Sequence, residues 1–309
     1  MESLLVVGVD TVVGANIAAS LADRHRVLTW APERRYDIAG CQALDPADTV
    51  CQVVEASKPD RIVYCGPAAR SIWDPRSKAS ITETMVDQAR EWAAAAKEAN
   101  AEFTMISSDA LFTGPWMFHD EESPGQCHSI EALTVRATEE QVQEQLPGAL
   151  IIRTNAFGWS PDPSRSGWLE KMLAEVESRR VVEQDHIRHA TPILATDLAD
   201  ILDRAHAERL TGVFHVAGAE RVSPLKFAQR LADQFDLPWL ALRRDSALSA
   251  PPQGFGLGEC SLQTKRIRKA LCVAMPLLSE GLARLEAQHV NGYRQQLTGS
   301  APAAQVRAA

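Results

Sequence analysis

The sequence predicts an α/β protein built on a doubly wound parallel sheet, with a smaller C-terminal substrate-binding lobe. Three observations carry this. Short apolar runs alternate with stretches of helical periodicity through the first half of the chain. The first run ends in a turn, Gly8 to Gly14, that opens directly onto a helical pattern. The second half loses the strict alternation, as an appended lobe does.

Taken in order, Leu4-Leu5-Val6-Val7 is a strand ended by Gly8, and Val13, Ile17 and Leu21 follow at helical spacing. Val27-Leu28-Thr29-Trp30 and Ile62-Val63-Tyr64 are the next strands, the latter running into Cys65-Gly66-Pro67. An Ala- and Glu-rich helix spans about 81–100. Phe103-Thr104-Met105-Ile106 is a strand ending at Ser107-Ser108-Asp109. A polar stretch over 118–128 precedes a helix over about 131–145, and Leu150-Ile151-Ile152 is a fifth strand ending at Arg153-Thr154. These five strands are expected to lie parallel in one sheet. Beyond them, 168–178 and 196–208 have helical spacing, Val213-Phe214-His215-Val216 is strand-like, and Ser223 begins another amphipathic helix. The expected division is a nucleotide-binding unit over 1–153, a lobe over 154–290 from which about 190–216 returns to the first unit, and a flexible tail over 299–309.

Ligands in such sheets bind outside the carboxyl ends of the strands. Gly8, Cys65, Gly66, Ser107 and Ser108 therefore stand along one edge. The net charge of -8 and pI near 5.5 give no electrostatic reason to bind nucleic acid. Six scattered cysteines, without Cys-x-x-Cys spacing, read as reduced thiols. No apolar run reaches membrane-span length, and a cytoplasmic location is expected. No residue set is assigned to a metal; Asp120-Glu121-Glu122 reads as a solvated turn. Trp116, Trp159 and Trp168 either stack on a base or, for at least two of them, pack in the core or lobe.

Several segments, in order, resemble the dTDP-4-dehydrorhamnose reductase family of extended short-chain dehydrogenases. Ser107-Ser108-Asp109-Ala110-Leu111-Phe112-Thr113-Gly114 is similar to its Ser-Thr-Asp-Tyr-Val-Phe-x-Gly, and Arg153-Thr154-Asn155-Ala156-Phe157-Gly158 to its Arg-Thr-Ser-x-x-Tyr-Gly. Gln184-Asp185-His186, Thr191-Pro192 through Asp197-Leu198-Ala199, and Gly212 to Gly218 follow its later motifs. The likeness covers most of residues 3–290. It implies a Rossmann-type fold, an NADP or NAD cofactor and a nucleotide or nucleotide-sugar ligand.

Two parts of the implied site depart from the family pattern. The family's Gly-x-x-Gly-x-x-Gly reads Gly8-Val9-Asp10-Thr11-Val12-Val13-Gly14 here. Thr11 replaces the glycine that lets the backbone approach a pyrophosphate, and Asp10 adds negative charge there. Either the turn still binds a nucleotide, weakly, or it serves folding alone. Arg34 and Arg35, after the second strand, either receive a 2′-phosphate, favouring NADP, or are simply solvated. The family's Tyr-x-x-x-Lys is missing altogether. Counting forward from Ser123-Pro124 places His128 and Ala132 at its positions; counting back from Arg153-Thr154 places Glu131 and Val135 there. Ser108 keeps the hydroxyl that binds the substrate carbonyl, and His128 is the candidate replacement acid, or else a surface histidine. Two readings stand. One is a non-catalytic or chemically altered relative that binds a nucleotide ligand or a protein partner, a homodimer included; the fold has a precedent as a regulatory subunit. The other is an NADP-dependent reductase of a nucleotide sugar with a substituted acid.

Overall fold

The computed structural model describes residues 1–162, 164, 167–178, 181–238, 242–246 and 254–299. The proposed tail at 299–309 lies outside them except for Gly299. Seven parallel strands form the central sheet: β1 (Ser3–Val7), β2 (Arg26–Trp30), β3 (Gln42–Ala43), β4 (Arg61–Tyr64), β5 (Glu102–Ser108), β6 (Leu150–Thr154) and β10 (Gly212–His215). Their order is β10-β6-β5-β4-β1-β2-β3. Short pairs of β7 (Ala156–Phe157) with β9 (Ile193–Leu194), and β8 (Val182–Gln184) with β11 (Leu242–Arg244), stand apart from it. The chain reverses direction across the sheet between β1 and β4, so the Gly8 turn and the Cys65 loop face each other at the crevice.

Both faces of the sheet are covered, which is why its strands are continuous apolar runs rather than alternating ones. All five residues of β1 are buried. On one face α1 (Val12–Leu21) packs against α7 (Ala195–Ala207); on the other, α2 (Val50–Ser57), α4 (Thr84–Glu98) and α5 (Ile130–Gln145) pack together. The short α3 (Ser77–Ser80) follows the β4 loop. Local chemistry starts these helices where the side chains dictate. Thr11, Ser129 and Ser223 accept from the third helical amide of α1, α5 and α8 (Pro224–Gln234), and Thr49 with Gln52 forms a capping box on α2.

Beyond the sheet, α6 (Trp168–Glu177) and α10 (Leu278–Val290) pack on α8, next to an aromatic cluster with Trp73, Trp168 and Phe227 rings 5.2–5.7 Å apart. Trp159 and Trp168 are buried, so packing claims two of the three tryptophans; Trp116 is exposed. Two further helices, α9 (Lys265–Leu271) and α11 (Tyr293–Leu297), complete the chain, α11 lying on α1. Asn16, wholly buried in α1, ties these parts together: its amide donates to the Trp159 carbonyl at 2.9 Å and its Oδ1 accepts from Tyr293 at 3.1 Å. The sequence reading lacked β3, β7, β8, β9, β11, α2, α3, α9, α10 and α11. Of these the five strands, α3 and α11 are too short for periodicity to declare itself.

Candidate functional site

The site grows from the turn between β1 and α1. Gly8 has φ +83°, and a Cβ there would stand 2.1 Å from the Cys65 carbonyl oxygen. Gly14 packs so tightly on the turn that its Cβ would meet the Gly8 carbonyl at 2.4 Å. The two outer glycines are therefore required by the close approach of β1, β4 and α1. Thr11 does something different from what its position suggested. Its hydroxyl is turned inward, donating to Gly8 O at 2.7 Å and accepting from Gly14 N at 3.0 Å, and the residue is buried. It caps the helix from the wall of the groove, and in doing so it uses an amide that an incoming phosphate could have taken.

Beside it, Asp10 forms an ion pair with Arg70 at 2.8 Å, across the crevice from the β4 loop. Burial raises the Asp10 carboxyl above its ordinary value even though Arg70 pulls it down. The negative charge anticipated at this turn is thus matched by a cation. A groove of about 380 Å³ opens on one side, lined by Gly8, Thr11, Cys65, Gly66 and the rings of Trp30 and Trp92. A polar cavity of about 320 Å³ lies on the other, lined by Glu33, Ser71, Asp74, Arg76 and Asp162. Asp10, Arg70 and Ser80 line both, so the ion pair stands between them.

Arg34 and Arg35, expected either to receive a 2′-phosphate or to be solvated, stand apart from the groove described above. Arg34 is held by Asp162 at 2.6 Å and lies over the Tyr36 ring, and Arg35 is paired with Asp37 at 3.0 Å. Each already has an acid partner and neither lines the groove. Ser107 also departs from its expected place: it is fully buried and donates to Glu139 at 2.5 Å. Glu139 in turn holds Arg153 through both carboxylate oxygens, at 2.7–3.2 Å, joining β5, α5 and β6 beneath the site. Among the described residues no group of His, Cys, Asp and Glu is placed to hold a metal ion.

A third cavity, about 980 Å³, is lined by Met117, Gln126, His128, His189, Arg221 and Glu259 among others. His128 is exposed on its wall. Ser108 is not part of that lining; it is buried, and its hydroxyl accepts from Ala110 N at 3.1 Å to cap the turn after β5. The structure therefore does not bring the two candidate catalytic residues together at one wall. At the alternative positions, Glu131 sits in the first turn of α5 with Lys78 at 3.4 Å, and Val135 is fully buried. The acidic turn is only partly solvated, since Glu121 accepts from His215 N at 3.0 Å and so ties the 118–128 segment to β10. His119 fastens the same segment: its Nε2 donates to the Glu259 carbonyl at 3.0 Å, and its ring stacks on Phe112.

Sequence reasoning missed Arg70 and Glu139. Arg70 had a signal, being a charged residue in the loop at the carboxyl end of β4, where ligands bind in this topology. Glu139 had none, because an acid on a helix is ordinarily solvated and only the packing of β6 against β5 brings Arg153 to it.

The family model described as the RmlD substrate binding domain matches residues 1–284. Among solved structures, the chain is similar to a dTDP-4-dehydrorhamnose reductase from Bacillus anthracis in complex with NADP, with a TM-score of 0.73 at 18% identity, covering 93% of this chain and 99% of that one. It is equally similar to the enzyme WbmH of Bordetella bronchiseptica in complex with NAD+, with a TM-score of 0.73 at 18% identity, covering 94% and 100%. Among curated proteins it is 26% identical over 210 residues to methionine adenosyltransferase 2 subunit beta of Danio rerio. That match spans 64% of this chain and 62% of the curated relative's length.

Proposed function

The chain belongs to the RmlD substrate binding domain family, and from that premise we propose that it binds a nucleotide in the groove at the glycine turn without reducing a keto nucleotide sugar, and acts through a protein partner. One observation carries the reading: where the family's reaction needs a tyrosine and a lysine, one count gives Glu131 paired with Lys78 and a buried Val135, and the other an exposed His128 and a buried Ala132. Hydride delivery to a ketone leaves an alkoxide that must be protonated as it forms. A carboxylate held by an ammonium group is no donor for it. The residues at the turn also suit a whole nicotinamide dinucleotide poorly, because Thr11 already holds the Gly14 amide and the Asp10 carboxylate stands in the wall of the groove. The partner role is supported by the curated relatives, which are named as a subunit of methionine adenosyltransferase 2. A reductase with a substituted acid is the second reading, favoured by the place of His128 on the large cleft.

The test is NADPH oxidation with a dTDP-4-keto-6-deoxy sugar, on the wild type and on His128→Ala. Loss of a positioned acid removes about 10²–10⁴-fold in rate, so turnover at or near background is expected in both. Activity that disappears in His128→Ala supports the second reading. Brisk turnover by both proteins overturns the proposal.

A further inference from the structure

We propose that the Asp10–Arg70 pair makes this groove a site for a single nucleoside 5′-phosphate rather than a dinucleotide, with Arg70 leaving Asp10 to hold the phosphate. The inference rests on the nucleotide-binding reading above and names the ligand class. A dinucleotide has two nucleosides joined through a pyrophosphate, and it needs two compartments that communicate. Here the two compartments on either side of the glycine turn share Asp10, Arg70 and Ser80 as their common wall.

The compartments differ in kind. The groove has the partly exposed indole of Trp30, packed on the buried Trp92 with ring centroids 5.2 Å apart, and hydrogen-bonding side chains in Thr49, Gln88 and Glu91. Aromatic faces with a few polar groups suit a nucleobase and its ribose. The polar cavity carries Glu33, Asp74 and Asp162 beyond the ion pair, against Arg76, which Asp74 already holds through both oxygens at 2.8 and 3.0 Å. Arg34 holds Asp162 at 2.6 Å, so the carboxylate that a second phosphate meets there without an ion pair, among the described residues, is Glu33. One compartment takes a nucleoside and the other rejects an anion.

Arg70 is the group that can serve the phosphate. Among the described residues, the hydrogen bond its side chain makes is the one to Asp10. That carboxylate is disfavoured by its own burial. A phosphate dianion offers more charge and more acceptor oxygens to a guanidinium than such a carboxylate does. Arg70 can therefore exchange partners when a nucleotide arrives, which a fixed hydrophobic wall could not do.

The experiment is calorimetric titration of the full chain with AMP, adenosine and NADPH, on the wild type, Arg70→Gln and Asp10→Asn. For the wild type, AMP should bind roughly tenfold or more tightly than adenosine, as a charge-assisted phosphate contact requires, and NADPH no tighter than AMP. Arg70→Gln should bring AMP down to the affinity of adenosine while adenosine itself is unchanged, which also shows the variant to be folded. Asp10→Asn should tighten AMP several-fold by freeing Arg70, and tighten NADPH by a larger factor by opening the partition. If NADPH binds the wild type at least tenfold more tightly than AMP, or if Arg70→Gln leaves the AMP-to-adenosine ratio intact, the single-phosphate inference is wrong while nucleotide binding stands. If folded wild type binds none of the three probes, the nucleotide-binding reading itself falls.

Discussion

Replacing His206 and His215 should flatten the acid side of the stability profile by an amount that follows from their burial. His206 lies under the sheet with Nε2 at 2.8 Å from Thr104 Oγ1, and burial, aided by the Arg61 charge, pushes its imidazole down to about 3. His215 is fully buried, donates from Nδ1 to the His119 carbonyl at 3.0 Å, and is pushed down to about 3 by burial and by the Arg153 charge. Both are thus neutral in the folded protein until well below pH 5. In the unfolded chain they titrate near 6.5. The unfolded state therefore takes up protons first, and the stability these groups allow is intact above about pH 6.5 and lost as pH falls toward 3. Between pH 8 and pH 5 the unfolded chain gains about 2 kcal/mol for each histidine, or about 4 kcal/mol for both. That corresponds to a fall in Tm of about 6 °C for a chain of this size. Asp109 works in the opposite sense. Burial holds its carboxyl well above the usual range, so its contribution is present at low pH and lost as pH rises through its folded value. The wild-type profile alone is therefore not diagnostic; the difference from a variant is. His206→Gln and His215→Asn each keep an amide where the bonded ring nitrogen stood. Urea unfolding at pH 8 and pH 5 should show the double variant losing about 4 kcal/mol less than the wild type over that interval. Equal losses in the two proteins would mean that these imidazoles are accessible to protons in the folded state, and the burial argument would be wrong.

Two further outcomes follow from single residues. Thr11→Ala should cost about 1 kcal/mol in chemical denaturation, through loss of the cap on α1, whereas Thr11→Gly should cost only a few tenths; Thr11→Gly should also tighten nucleotide binding, since the Gly14 amide returns to an incoming phosphate. Equal destabilisation by both changes would show that the hydroxyl does not cap the helix. Glu139→Ala should destabilise by about 3–5 kcal/mol, because it strands the mostly buried Arg153 and the Ser107 hydroxyl together; a loss under about 1 kcal/mol would place Arg153 in contact with water.

The strands β1, β2, β4, β5, β6 and β10 and the helices α1, α4, α5, α6, α7 and α8 were legible in the sequence by itself. Apolar runs such as Leu4 to Val7 and Phe103 to Ile106 are local facts, and burial on both faces of a sheet writes them without interruption. The absence of a tyrosine and lysine at the start of α5, and the capping residues Ser129 and Ser223, are local too. What only the tertiary structure decided were the partnerships. Asp10 looked like an uncompensated charge until β4 carried Arg70 to it, and Arg34 looked available until the lobe brought Asp162 within 2.6 Å. Thr11 looked like an obstruction until its rotamer turned the hydroxyl onto Gly8 and Gly14. Periodicity reports which face of an element is buried, because burial acts residue by residue along the chain. A charge, by contrast, has its meaning set by whatever lies within a few ångströms in space, and residues 60 or 128 positions away supply that here.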